Sequence, residues 1–436
     1  MAEIRPFRAL RFTPEAGDMR ELVCPPYDII SESQRLSYLK RNPHNIIRLE
    51  LPRDGADPYA EAGRTLREWL EQGILRQDEQ PAFYCYEIAF DLPGMSDISG
   101  MMGGRRSVAG LIAQVKLEEF SKGIVLPHEE TLSKAKADRF ELMKATGCNF
   151  SDVYALYMDD GGEMETLDTL ELIMREAPLT EVTDEAGLVH RLWAVTDPTL
   201  TAAIQARFAD TRLYIADGHH RYETALRYRD TLRAEGVPEG TDADYIMMML
   251  VEIDHPGLVV LPTHRLIRGL QGFDPAALLE SCRAEFDVLP GLTLESLDET
   301  LENAYQAGQK AFGFYTGGEF FTLLTLRDEA VMDAALPELS PASRHLDVNV
   351  LHTLILERRL GIDKRNMAAG VNLTYTRSLR EALDDVEAGA YQATFLLNPT
   401  RVEEIRDVAA AGEKMPQKST YFYPKLITGL TMNRLR

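Results

Sequence analysis

Apolar residues along this chain recur with two different periods, and the switches between them mark out its elements. Residues 82–90 and 108–117 are short runs rich in aromatic and β-branched side chains, which predicts strands. The intervening 92–106 holds Gly94, Gly100, Gly103 and Gly104 and reads as a mobile loop. Residues 138–145 place Phe140, Leu142 and Met143 on or near one helix face, and 153–157 return to strand. Strand-length apolar runs follow at 192–195, 213–216 and 245–251. Between the last two, 219–233 sets Tyr222, Ala225, Leu226 and Arg229 at helical spacing.

Beyond about residue 270 the texture changes. Residues 278–286 and 292–307 read as helices, and 311–315 with 320–326 as a hairpin around Gly317-Gly318. A helix over 350–360 would end at Gly361, a strand spans 391–397 and a helix 402–411. The pattern predicts a mixed α+β chain in three parts: an N-terminal α/β region at 1–120, a core at 121–268 and a C-terminal α+β region at 269–436.

Composition narrows the function class. With 45% hydrophobic residues the chain has material for a real core. A formal net charge of -22 argues against a surface built for nucleic acid, which needs a basic footprint. No apolar stretch approaches the ~20 residues that span a bilayer, and the first residues lack the apolar core of a secretory signal. Cys24, Cys85, Cys148 and Cys282 are scattered with no CxxC pair, which fits reduced thiols in a cytoplasmic protein.

Four constellations carry candidate chemistry. In LYIADGHHRYETAL, residues 213–226, an apolar strand ends, Gly218 permits a tight backbone approach and a helix begins. A helix start presents unpaired N–H groups and partial positive charge, a ready anion site. His219, His220 and Arg221 add donors there, although cations at a helix start oppose its dipole and stability alone does not favour them. Asp217 is a cap or a ligand for a phosphate-borne Mg²⁺. In LPHEETLSKAKADR, residues 126–139, His128 and Glu129 form a candidate general base, while Lys136 and Arg139 are candidate phosphate contacts. The bland alternative is a solvated charged helix face. Near the C-terminus, Lys418, Ser419, Thr420 and Lys425 offer cations and hydroxyls to a phosphate, or the segment packs as an edge strand. Pro25-Pro26 presents Tyr27 and Asp28, or simply leads into a helix capped by Asp28 or Ser31, and His264 reads as a structural histidine. Walker, dinucleotide, zinc-protease and nucleophile-elbow motifs are missing, so a phosphate donor must be held by another device.

These segments, with RPFRALRF at 5–12, VCPPYDII at 23–30, NPHNIIRLELP at 42–52 and MPQKSTYFYPKL, resemble the bacterial and archaeal family known as domain of unknown function 1015. A His-Glu motif followed by D-G-H-x-R at a strand-to-helix turn is also similar to the ParB/sulfiredoxin superfamily, in particular its free serine kinases. That resemblance implies a ParB/sulfiredoxin-like core with added N- and C-terminal segments. By it, Glu129, or failing that Glu130, is the base on a substrate hydroxyl, and Gly218, His219, His220 and Arg221 grip phosphate. Two departures stand out: ParB's GERR turn and DNA-binding helices are not apparent, and His219 stands where a sulfiredoxin has its cysteine. The implied activity is a small-molecule kinase, with serine the leading acceptor, Mg²⁺ at Asp217, and ATP, ADP or pyrophosphate as donor. A nucleotide-binding regulator without turnover, or a phosphatase-type hydrolase, would use the same cationic turn.

Overall fold

The computed structural model describes residues 1–91, 104–129, 131, 133–159 and 166–435. Gly94, Gly100 and Gly103 of the expected loop, and Glu130, lie outside the described residues, as do the side chains of Ser133, Lys134 and Ala368. The chain forms two compact units. The first joins Met1–Asp91, Arg105–Leu258 and Pro424–Arg436; the second is built on Val259–Tyr423. Residue 120 lies inside the first unit, and the C-terminal residues return to it.

The first unit is organised on one mixed sheet. Its strands are β1 (Ile4–Arg5), β2 (Phe83–Asp91), β3 (Arg105–Lys116), β4 (Val125–Leu126), β5 (Val153–Tyr157), β6 (Thr180–Thr183), β7 (Val189–Val195), β8 (Leu213–Asp217) and β9 (Tyr245–Glu252). They run in the order β4-β8-β5-β9-β3-β2-β7-β6, with β1 added against β3. The β4–β8 and β5–β9 pairs are parallel and the others antiparallel. The continuous apolar text of β9, YIMMMLVE, follows from burial on both faces: every residue but the last is buried.

Helices α1 (Glu32–Arg41), α2 (Pro58–Glu71), α3 (Ser133–Thr146) and α4 (His219–Ala234) supply much of the cover. Ser31 caps α1 in a reciprocal capping box with Gln34, so of the two expected caps Ser31 is the one used. Phe140 and Met143 of α3 join Tyr222, Ala225 and Leu226 of α4 in the core that lies on the sheet. Leu66 and Trp69 of α2 share a second core with Leu22, Leu142 and Phe150. All four cysteines are buried and free. No helix among the described residues is long and apolar enough to cross a membrane.

The second unit carries an antiparallel sheet of its own. Its strands are β10 (His264–Ile267), β11 (Phe286–Leu292), β12 (Ala311–Tyr315), β13 (Phe321–Leu326), β14 (Leu373–Thr376) and β15 (Ala393–Leu397), in the order β11-β13-β12-β15-β10-β14. Helices α5 (Leu294–Gln306) and α6 (Leu379–Glu387) pack their apolar faces on it through Leu297, Leu301, Ala382 and Val386. The hairpin expected around Gly317-Gly318 forms. The helix expected over 278–286 stops at Cys282, because Phe286 opens β11, pairs with Leu326 and is fully buried. The helix expected over 350–360 is a helical turn at Asp347–Val350 followed by a wide π-helical stretch, Leu351–Glu357.

At Gly257 the backbone passes close to β3. A Cβ added there would stand 1.7 Å from the Ser107 carbonyl oxygen, which belongs to β3 and cannot swing aside. Gly257→Ala is therefore expected to destabilise the chain by roughly 1–3 kcal/mol or more, as overpacking against backbone does. A urea unfolding curve checks it, and an unchanged midpoint would refute the contact.

Candidate active site

The strand-to-helix turn after β8 holds most of the candidate residues of the first unit. β8 delivers Asp217 at its end, Gly218 turns the chain with φ +92°, and α4 begins at His219. The left-handed conformation is one that glycine adopts without strain. Space makes the same demand, because a Cβ at Gly218 would stand 2.9 Å from Arg221 Nε. The N-cap of α4 is Gly218, which has no side chain to cap it, and no acidic residue occupies its first turn. The helix end keeps its positive character.

Asp217 is held by cations. Lys425 Nζ lies 3.0 Å from its Oδ2 and Arg221 Nη2 lies 3.4 Å from the same oxygen, while the Gly218 N–H donates to Oδ1 at 2.9 Å. Burial alone would raise its pKa, but the charges of Lys425 and Arg221 hold it well below the usual carboxylate range. Both carboxylate oxygens are thus engaged, and the described residues contain no cluster of three His, Cys, Asp or Glu suited to a metal ion. The residues as arranged do not fit a Mg²⁺ bound directly by Asp217.

Arg221 is buried beneath the turn. It donates through Nη1 to the Asp152 carbonyl, and its Nε has no hydrogen-bond partner. Burial opposes its charge; Asp217, Asp28, Tyr27 and Glu50 favour it. A cavity beside it is lined by Glu50, Arg139, Ser151, Asn149 and Arg221 among others. Arg139 donates to the Glu50 carbonyl at 2.7 Å, pairs with Asp138 at 2.6 Å and lies over the Tyr27 ring at 4.1 Å. Glu50 is buried, and burial raises its pKa against the pull of Arg139 and Arg221, while Ser151 Oγ donates to it at 3.0 Å.

The two histidine-bearing motifs meet. The His128 backbone N–H donates to His219 Nε2 at 3.2 Å, and the rings sit edge to face at 4.7 Å. His128 Nδ1 donates to the Ile215 carbonyl at 2.6 Å, and burial lowers its pKa to about 4, so the ring is neutral. Glu129 follows directly and is half-buried, as is His220. Lys136 pairs with Glu223 of α4 at 2.6 Å, and Thr131 donates to the same carboxylate at 2.9 Å. Lys418, Ser419 and Thr420 belong to the second unit, where Ser419 Oγ donates to the Pro416 carbonyl at 2.6 Å.

A family model described as protein of unknown function (DUF1015) matches residues 4–349. The chain belongs to the DUF1015 family. No curated protein matches this DUF1015 chain. Among solved structures it is similar to a conserved hypothetical protein from Pyrococcus furiosus, at 14% identity and TM-score 0.34, covering 72% of this chain and 94% of that one. It is also similar to a free serine kinase in complex with AMP, at 14% identity and TM-score 0.35, covering 78% and 95%. A third is C-terminally truncated SbnI from Staphylococcus aureus, at 12% identity and TM-score 0.36, covering 74% and 87%.

Sequence reasoning missed Glu50 and Asp152 in this DUF1015 protein. Asp152 is buried, its Oδ1 has no hydrogen-bond partner, and burial raises its pKa to about 7 even beside Arg221. Between the unfolded carboxyl's pKa and that raised value the folded state holds a proton that the unfolded state has released. Stability therefore falls as pH rises through roughly 4 to 7 and levels off above. Asp152→Asn is expected to remove that slope and to gain, above pH 7, on the order of a few kcal/mol over the native chain. Urea midpoints measured at pH 5 and pH 8 check it, and parallel changes in both proteins would count against a buried carboxylate.

Proposed function

We propose that this protein is a small-molecule kinase of ParB/sulfiredoxin-like fold, transferring a phosphoryl group to a free hydroxyl with serine as the leading acceptor. One observation carries the reading: the buried Arg221 guanidinium, its Nε without a partner among the described residues, lies against a helix start whose N-cap is a glycine. A helix start backed by a fixed cation suits the oxygens of a transferring phosphoryl group. The DGHHR and His-Glu motifs, similar to those of free serine kinases, point to the same chemistry.

Glu129 takes the proton from the serine hydroxyl as its oxygen forms the new bond to phosphorus. The bond from phosphorus to the donor's bridging oxygen breaks, and that oxygen leaves with its electron pair on the shortened donor. The first-turn N–H groups of α4, His220 and Arg221 offset the charge on the phosphoryl oxygens, with His219 setting the backbone of the His128 segment. ATP, ADP and pyrophosphate all present the required terminal phosphoryl group. Lys425 and Arg221 keep Asp217 ionised, so that its Oδ1 accepts from the Gly218 N–H and stiffens the turn.

Purified protein incubated with serine, Mg²⁺ and each donor in turn should yield phosphoserine. Glu129→Gln is expected to cut kcat by about 10²- to 10⁴-fold with little change in the donor's KM. Arg221→Lys keeps a charge opposite Asp217 but loses the planar fork, and should raise the donor's KM about tenfold while the circular dichroism spectrum is retained. Free phosphate without phosphoserine would select the hydrolase reading, and nucleotide binding without turnover the regulatory one. Full activity of Glu129→Gln would remove Glu129 as the base.

A further inference from the structure

The second unit holds a buried cation of a different kind. Arg265 on β10 is only 1% exposed, yet among the described residues no carboxylate pairs with it. Its donors reach only backbone carbonyls, those of Thr263 and, at 3.3 Å, Lys418, and its Nε has no partner. The Tyr375 ring lies 5.5 Å away and completes its surroundings. Burying a guanidinium without an anion is a cost that folded chains ordinarily avoid.

Three further features of the second unit bear on this guanidinium. His352 is 6% exposed, its Nε2 also lacks a partner, and the positive charges of Arg265 and Lys364 both act on it. It sits in the π-helical stretch Leu351–Glu357, a geometry that recurs at functional sites. Lys418, whose carbonyl accepts from Arg265, has φ +60°, and it is the non-glycine residue with positive φ among those described. Backbone strain of that kind persists where surrounding structure holds it, and it gathers at ligand sites.

We infer that Arg265 and His352, with Lys364 at the margin, form an oxyanion-binding site within the second unit that takes the phosphate or carboxylate group of a small metabolite. The anion accepts from Arg265 Nε and from His352 Nε2, two of the buried polar atoms that lack a partner among the described residues. The site is independent of the kinase reading and uses none of its residues. The K-S-T segment acquires a part in it through the Lys418 main chain.

Equilibrium dialysis of the full-length chain against radiolabelled inorganic phosphate tests the inference. Binding at a site that Arg265→Met removes, or weakens at least tenfold, while Arg221→Lys leaves it unchanged, is the expected result. In phosphate-free buffer Arg265→Met should unfold at a urea midpoint no lower than the native chain, because methionine fills the space without the charge. A purely structural arginine would lower that midpoint. His352→Gln should weaken the same phosphate at least fivefold and serves equally should the methionine variant not fold. Succinate that displaces this phosphate assigns the site to carboxylates, and failure to displace it assigns the site to phosphates. Phosphate binding unchanged in a folded Arg265→Met or His352→Gln chain overturns the inference, as does the lack of any phosphate that survives Arg221→Lys.

Discussion

The ion pairing of Asp217 with Lys425 and Arg221 is the interaction on which the first unit's chemistry rests. It ties together the end of β8, the first turn of α4 and a residue 208 positions further along the chain. Arg221 adds the Asp152 carbonyl, so the segment leading into β5 is held to the same point. Removing one partner from such a buried set leaves an uncompensated charge and typically costs about 3–5 kcal/mol. The turn at Gly218 is therefore stiff before any ligand arrives. Preorganisation of that sort is what electrostatic stabilisation of a phosphoryl group requires.

Three buried arginines show how partners separate structural from functional roles. Arg139 is fully occupied by Asp138, the Glu50 carbonyl and the Tyr27 ring, which fits a residue holding α3 against the N-terminal segments. Arg221 has a carboxylate and a carbonyl but keeps one donor unused. Arg265 has carbonyls alone. The sequence marks Arg221 by its place in the strand-to-helix turn, but it gives no such mark to Arg265. Only the inventory of acceptors around each guanidinium ranks them by their capacity to bind something else.

That difference explains what was legible in the sequence. The strand-to-helix turn could be found because its signal is local: an apolar run, a glycine, then donors at a helix start, all within LYIADGHHR. β5, β8 and β9 could be placed for the same reason. Glu50 and Asp152 could not. Glu50 sits in NIIRLELP, where a helical turn accounts for it without burial, and Arg139, which draws it inward, stands 89 positions away. Phe286 shows the same limit in the second unit. Its neighbours have helical spacing, but pairing with β13 decides its conformation, and pairing is not written in the local text.

The His128–His219 contact adds a constraint that neither motif shows alone. Because the His128 main-chain N–H donates to His219 Nε2, that nitrogen must carry a lone pair, and the remaining ring proton sits on Nδ1. His128, buried and bonded to the Ile215 carbonyl, is neutral. The fixed positive charge next to the turn then comes from Arg221 and Lys425 and the partial charge from the helix start. The two histidines take a different part: they fasten the chain immediately before Glu129 to the first residue of α4. Under the proposed chemistry a base and a phosphate grip must keep their separation within a fraction of an ångström. A hydrogen bond from main chain to ring, shielded from water, is a means of fixing that separation for as long as His219 Nε2 keeps its lone pair.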